Sequence, residues 1–280
     1  MRSRTDIERV AAMALAEDGE TDLTTMLTVA AGVTAVGRLE FRSSGLLAGT
    51  AYANAVLEAC GCAVEWKLSE GQSASAGSVV GSVSGELRRI LRAERPVLNI
   101  LQRASGIATA TRAFVEAVAG TRCAILHTRK TAPGLRGLDV AAVIAGGGRS
   151  HRLDLAHEVM VKDNHWQALT RGGNTLEQAL ESAKRSGVTA RYVEVESEEQ
   201  LKQACAAGAT RLLIDNQSPD TVRSWGQLAR QRSPGIEIEA TGGITLQNVR
   251  AYALAGADFI SVGALTHSVR AADISLEVVL

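Results

Sequence analysis

The chain has 280 residues, 30 basic and 30 acidic side chains, a 46 % hydrophobic share and only 3 % aromatic residues. That length suits a single barrel or a barrel with a small companion, and the apolar share supports a sizeable aliphatic, Ala-rich core rather than a disordered chain. Zero formal charge and scattered Trp and Tyr argue against nucleic-acid binding, and no apolar run approaches the ~20 residues that cross a bilayer or opens the chain as a signal peptide, so a cytoplasmic protein is expected.

Thr5 and Glu8 form a capping-box signal, and Ile7, Val10 and Leu15 recur at helical spacing, which predicts a first helix to about Glu17. Residues 36–41, 64–68 and 78–83 alternate as strands, an Ala-rich helix spans 51–59, and a helical pattern runs from 86 to 118. Residues 1 to about 110 are therefore expected to form a small α+β unit. Cys60, Cys62, Cys123 and Cys205 lack zinc-site spacing and are expected as core thiols of a reducing compartment. From Cys123 onward the pattern becomes strand then helix, with six apolar strands at 124–126, 158–161, 192–195, 211–214, 236–239 and 258–262. Each strand finishes in polar or glycine residues, as in barrels whose chemistry sits at the C-terminal strand ends. An open doubly wound sheet is the competing fold; it would confine ligand residues to one switch point.

Between Leu126 and His165 lie Arg129, Lys130, Arg136, Arg149, His151, Arg152 and Lys162, a concentration of cations in a neutral protein. Two cations about 7 Å apart repel by roughly 2 kcal/mol at an effective dielectric near 20, so a neutralising anion is expected among them. Thr241-Gly242-Gly243 and Gly263 follow successive strands and are candidates for main-chain phosphate cradles as well as for ordinary turns. Gly146 to Gly148 match no nucleotide fingerprint and are expected as a hinge. With period two, Glu194 and Glu196 share one side of their strand, and with Asp215 they would place carboxylates opposite the cations.

The ordered segments Leu98-Asn-Ile-Leu-Gln-Arg103, Thr128-Arg-Lys-Thr-Ala-Pro-Gly-Leu-Arg136, Gly146-Gly-Gly-Arg-Ser-His-Arg152, Val161-Lys-Asp-Asn-His165, Val193-Glu-Val-Glu196, Leu213-Ile-Asp-Asn216, Glu239-Ala-Thr-Gly-Gly-Ile244 and Ser261-Val-Gly-Ala-Leu-Thr-His267 resemble the quinolinate phosphoribosyltransferases, also called carboxylating nicotinate-nucleotide pyrophosphorylases. The resemblance covers nearly the whole chain. It implies an N-terminal α/β sandwich over residues 1–110, an open TIM-like (β/α) barrel of about six strands over 111–268, and a segment 269–280 that returns to the first domain. It implies a homodimer with shared sites and a Mg²⁺-dependent reaction of quinolinate with phosphoribosyl pyrophosphate in de novo NAD biosynthesis. By resemblance, Arg129, His151, Arg152 and Lys162 hold the quinolinate carboxylates, joined by Arg103 of the second subunit. Lys130, Glu196 and Asp215 are the catalytic set, Glu196 and Asp215 also position the metal, and Thr241, Gly242, Gly243, Gly263 and His267 bind phosphate.

Five positions depart from the family pattern. His127 stands where Asp is usual, Val140 for Lys, Ser150 for Asn, Asp154 for Gly and Thr241 for Ser. His127 would either add a titrating group beside the acid pocket or pack behind its strand. The alternatives carried forward are a paralogue acting on another heteroaromatic acid or of the molybdenum-operon type, an aldolase-like lyase with Lys162 as Schiff-base residue, and a catalytically silent ligand-binding barrel.

Overall fold

The computed structural model describes residues 4–172 and 174–279, and the chain forms two compact units. One comprises Met1–Arg112, Lys130–Gly147 and Ala264–Leu280; the other comprises Ala113–Arg129 and Gly148–Gly263. Both are discontinuous, and the first takes in Lys130–Gly147 as well as the C-terminal segment. The chain passes from one to the other within helix α4 (Leu87–Ala117).

The first unit is built on an antiparallel sheet in the order β12-β1-β5-β3, from β1 (Thr34–Phe41), β3 (Ala63–Trp66), β5 (Val79–Glu86) and β12 (Ile274–Val279). Along β1 the buried positions alternate, with Ala35, Leu39 and Phe41 inward and Thr34, Val36 and Arg38 outward, the period of a sheet with one wet face. The C-terminal strand β12 pairs with β1 from Phe41↔Ile274 to Val36↔Val279. Gly37 permits this approach, because a Cβ there would come within 2.8 Å of the Leu276 side chain. Helices α1 (Arg4–Glu17), α2 (Leu23–Thr28), α3 (Thr50–Ala59), α5 (Arg136–Ala145) and α11 (Ala264–His267) and a short ladder of β2 (Gly45–Leu46) with β4 (Ser73–Ala74) complete the unit. Helix α5 belongs here because Leu138, Val140, Ala141, Ala142 and Val143 are all buried.

The second unit carries six parallel strands, β6 (Ala124–Leu126), β7 (Val159–Val161), β8 (Arg191–Val195), β9 (Arg211–Asp215), β10 (Glu237–Thr241) and β11 (Phe259–Ser261), in the order β6-β11-β10-β9-β8-β7. This order winds in one direction and has no switch point, which removes the doubly wound alternative; no ladder joins β6 to β7, so the barrel is open. Helices α6 (Asp163–Gly172), α7 (Leu176–Arg185), α8 (Glu198–Ala206), α9 (Pro219–Arg232) and α10 (Val249–Leu254) provide the crossovers. One side of each strand is aliphatic and fully buried, as at Val193, Val195, Leu212, Ile214, Ile238 and Ile260. The other side mixes an apolar cluster of Met160, Tyr192 and Leu213 with buried Glu194, Arg211, Glu239 and Ser261. Residues in register across parallel strands share a side, so this second set lines the lumen.

The four cysteines are unpaired, three of them buried. Burial, aided by the charge of Asp258, pushes the Cys123 thiol up to about 12. Among the described residues no helix is long and apolar enough to cross a membrane.

Candidate active site

The strand ends of the barrel are shaped by what stops each strand. Strand β8 ends at Val195, and Ser197 then caps α8 by accepting a hydrogen bond from the Gln200 N–H. The chain turns outward at this point. Glu196 is therefore exposed beyond the strand, with its own N–H donating to Gln200 Oε1 at 2.7 Å. The expected pair of carboxylates on one side of β8 reduces to Glu194, which is buried and forms an ion pair with Lys162. Trp166 Nε1 donates to the Glu194 carbonyl at 2.8 Å and the Lys162 N–H donates to His165 Nδ1 at 3.1 Å, so the start of α6 clamps this pair. A lysine committed to a carboxylate is poorly disposed to act as a Schiff-base amine.

Strands β9 and β10 finish side by side, with Asp215 in register with Thr241. Asn216 adopts φ 53°, its N–H donates to the Thr241 carbonyl at 2.9 Å, and its side chain donates to Asp215 Oδ2 at 2.6 Å. Gly242 and Gly243 follow with φ of 82° and 61°. A Cβ on Gly242 would sit 2.2 Å from Asn216 Oδ1, so only glycine fits there. Consecutive left-handed residues turn their N–H groups toward one side, and those of Gly242 and Gly243 donate to no described group. This is the geometry of an anion cradle.

The cations divide. Arg129, His151, Arg152 and Lys162 belong to the barrel unit, whereas Arg103, Lys130, Arg136 and His267 belong to the other unit. Arg149, expected among the ligand cations, instead lines a cavity of about 440 Å³ at the strand starts, with Arg122, Arg230, Glu237 and Asp258. Its backbone bridges Leu126 at the end of β6, and its side chain lines that cavity. Arg129 and Arg152 donate no side-chain hydrogen bond within the described residues, and Arg129 Nε is buried without a partner, as is Glu158 Oε2. Burial and then repulsion from Arg129 lower Arg152 from the usual guanidinium value, against the opposing pull of Glu158, Glu194 and Glu239. Two neighbouring guanidiniums, partly desolvated and without an ion-pair partner among the described residues, mark a place for an anion.

His151 differs from the expected acid ligand. Its Nε2 lies 3.2 Å from Glu239 Oε2 and its Nδ1 accepts the Arg152 N–H at 2.6 Å, so neither ring nitrogen is left for a substrate. His127 is fully buried, accepts the His151 N–H on Nε2 at 3.0 Å and places Nδ1 3.2 Å from the Thr128 carbonyl. Asp154 sits in an exposed turn, bonded to the Ala156 N–H and to His157; the His157 hydrogen bond foremost holds its carboxyl below the usual range.

In the first unit Asp139, fully buried, takes Arg103 through two bonds of 2.8 Å and the Ala132 N–H at 3.1 Å. Arg103 also donates to the Thr266 carbonyl at 3.0 Å, which leaves Nη1 uncommitted. The Lys130 carbonyl accepts from Thr266 Oγ1 at 2.8 Å, and exposed His267 pairs with Ser268. Val140, next to Asp139, is buried in α5.

Among the described residues no group of three or more His, Cys, Asp or Glu could hold a metal ion. Asp215 and Glu196 still suit a hard cation that completes its shell with substrate oxygens, since Mg²⁺ is commonly held by one or two carboxylates and phosphates.

Residues 107–277 match the family model for the quinolinate phosphoribosyl transferase C-terminal domain, and residues 22–105 match that for the N-terminal domain. The chain is 38 % identical over 260 residues to nicotinate-nucleotide pyrophosphorylase [carboxylating] of Mycobacterium leprae, covering 91 % of this chain and 90 % of that one. It is 43 % identical over 212 residues to a probable enzyme of the same name from Bacillus subtilis, covering 75 % and 71 %. The solved structure of the nicotinate-nucleotide pyrophosphorylase from Francisella tularensis superposes with a TM-score of 0.91 at 32 % identity, covering 100 % of this chain and 98 % of that one.

Proposed function

Because the chain belongs to the quinolinate phosphoribosyltransferase family, we propose that it transfers the phosphoribosyl group of phosphoribosyl pyrophosphate to quinolinate, releasing pyrophosphate and CO₂ and forming nicotinate mononucleotide for de novo NAD synthesis. The observation that carries this reading is the pair of mutually repelling guanidiniums, Arg129 and Arg152, which have no ion-pair partner among the described residues, in the same unit as Lys162. A pyridine dicarboxylate supplies two anionic groups to that set, and bidentate guanidinium bonding orients its planar carboxylates.

The ring nitrogen attacks ribose C1 as the C1–O bond to pyrophosphate breaks, so positive charge grows on the sugar and negative charge on the leaving group. Asp215 and Glu194 carry negative charge at adjoining strand ends and suit the first. The Gly242 and Gly243 N–H groups, with Thr241 and Gly263, suit the phosphate oxygens. Mg²⁺, held by Asp215 and Glu196 with diphosphate oxygens, would supply charge neutralisation to the leaving group. The C2–carboxylate bond then breaks, its electron pair is stabilised by the adjacent cationic ring nitrogen, and C2 takes a proton from solvent. His151 contributes by holding Arg152 rather than by touching the acid.

We place the enzyme in the cytoplasm as a homodimer. Arg103, braced by Asp139 with Nη1 uncommitted, would reach the partner's acid pocket, and Lys130 and His267 would complete the substrate contacts. The test is an assay of purified protein with phosphoribosyl pyrophosphate, Mg²⁺ and a panel of pyridine carboxylates. Pyrophosphate and CO₂ from quinolinate are expected; pyrophosphate with another acid and none with quinolinate would establish a paralogue instead.

A further inference from the structure

We propose that Glu239, with Arg211 behind it, is a positioning residue for acid recognition: within the barrel lumen it keeps the His151 proton on Nε2, which leaves Nδ1 as the acceptor that anchors Arg152. The proposal rests on the acid pocket described above and adds a device beneath it.

Glu239 is fully buried. Its Oε2 accepts from His151 Nε2 at 3.2 Å and from Arg211 Nη1 at 3.1 Å, and its Oε1 accepts from Ser261 Oγ. Arg211 cannot swing away. Its Nε donates to Glu237 Oε2 at 2.9 Å, and its guanidinium is sandwiched between the Tyr192 ring at 4.5 Å and the Phe259 ring at 3.9 Å. Tyr192 also meets His151 edge to face, at 5.7 Å and 89°, so the imidazole plane is held too. Burial by itself pushes the Glu239 carboxyl up, yet the bonds from His151 and Ser261 and the Arg211 charge together hold it below the usual range. An ionised carboxylate accepts and does not donate.

The tautomer follows from these partners. A singly protonated imidazole has one donor and one acceptor, and its proton must face Glu239. Nδ1 is then a bare lone pair, and the Arg152 N–H lies 2.6 Å from it. The opposite tautomer would set two N–H groups against each other and a lone pair against a carboxylate. Among the described residues the Arg152 side chain has no hydrogen-bond partner, and Arg129 repels it while Glu158, Glu194 and Glu239 attract it, so its main-chain anchor helps to fix its place in the pocket. An apolar filler would occupy the lumen without the cost of desolvating a carboxylate and a guanidinium, which argues that the charged pair serves orientation rather than packing.

Two measurements test this. In protein labelled with ¹⁵N-histidine, with the signal assigned by its loss in His151→Gln, wild type should show His151 protonated on Nε2 and unprotonated on Nδ1 at neutral pH. A proton on Nδ1 overturns the proposal whatever the substrate proves to be. In kinetics, Glu239→Gln should raise KM for quinolinate about five- to tenfold, with kcat and the KM for phosphoribosyl pyrophosphate within about twofold of wild type. Equal shifts in both KM values, or none, overturn it. If the single variant fails to fold because Arg211 is left uncompensated, Glu239→Leu with Arg211→Met keeps the lumen filled and should give the same selective rise. An unchanged KM for quinolinate there counts against Glu239. A wild type inactive on quinolinate would remove the functional reading, while the tautomer would still be measurable.

Discussion

The two ends of the barrel both carry arginines, and they treat them differently. At the strand starts Asp258 accepts from Arg230 at 2.8 Å and pairs with Arg122 at 3.1 Å, while Arg230 also caps the Gly256 carbonyl at 2.9 Å. At the strand ends Arg129 and Arg152 face each other's charge, and Arg129 Nε has no hydrogen-bond partner among the described residues. Counting cations along the chain cannot separate these ends. Neutralisation separates them: a cation that the fold has already paired is structural, and one left desolvated and unpaired awaits a ligand.

The sharpest way to break this comparison is to remove one charge from each end. Arg152→Ala should lower kcat/KM for quinolinate about 30- to 1,000-fold, corresponding to about 2–4 kcal/mol, without loss of thermal stability, because it also relieves repulsion of Arg129. Asp258→Ala should do the reverse. It strands Arg122, Arg230 and the Ile238 N–H, which donates to Asp258 Oδ2 at 2.9 Å, and should cost about 1–3 kcal/mol in urea denaturation. Its kcat/KM should stay within about threefold of wild type. A stable but inactive Asp258→Ala protein would show that charge balance at the two ends does not divide structure from function.

A second experiment extends the comparison to Arg103, an arginine already paired yet assigned to substrate. If its uncommitted Nη1 serves a partner subunit, mixing inactive Arg103→Ala with inactive Lys162→Ala chains at equal amounts should recover about a quarter of wild-type activity. Half of randomly exchanged dimers are mixed, and each mixed dimer has one intact site of two. No recovery after subunit exchange verified by mass would assign Arg103 to its own chain, where its bonds to Asp139 make it structural.

Much of this was legible in the sequence. The six barrel strands are short apolar runs, and each of the six expected segments overlaps a strand, because apolar runs of that length between helical segments leave few alternatives. The strand-end positions of Asp215, Thr241 and the two glycines were legible as well. Errors arose where facing or register decides. Arg149 and Arg152 are three residues apart, yet the first pairs its backbone with the sheet edge and lines the cavity at the strand starts with its side chain. Glu194 and Glu196 obey period two only while the strand lasts, and the Ser197 cap ends it between them. Glu239 and Arg211 lie 28 residues apart on neighbouring strands, and only the register of β9 against β10 brings them together. Helix α2 went unread because it has six residues and its signal is a single cap, Asp22 accepting the Thr25 N–H.

A smaller effect tests the lumen charge without reference to activity. The Glu239 carboxyl lies below its unfolded value, near 4.3 for Glu. Its contribution to stability is therefore full above about pH 4.5 and is lost as pH falls through the folded value. In urea denaturation between about pH 3.5 and 5, wild type should lose stability more steeply than Glu239→Gln, which has no proton to bind there. Parallel slopes would mean that the folded and unfolded values of Glu239 coincide, and a shallower loss in wild type than in the variant would mean that Glu239 is neutral in the folded protein.

The smallest effect is expected at His127, the departure nearest the chemistry. Its ring is fully buried, accepts the His151 N–H at 3.0 Å and turns its other nitrogen to the Thr128 carbonyl at 3.2 Å. A carboxylate in its place could accept the same N–H, the bond that ties the end of β6 to the segment carrying His151 and Arg152, although it could not donate to the Thr128 carbonyl as the imidazole does. The ring is fully buried and its nitrogens meet the His151 N–H, the Thr128 carbonyl and the Ser150 hydroxyl, which favours the packing role over a titrating group in the pocket. His127→Asp should therefore leave KM for quinolinate within about twofold and give pH profiles that superimpose on wild type between about pH 5.5 and 7.5, where an unperturbed histidine would titrate. A limb in that range present in wild type and absent in the variant would place His127 among the residues that select the acid. The cations that recognise the acid would then no longer be a complete account of its selection.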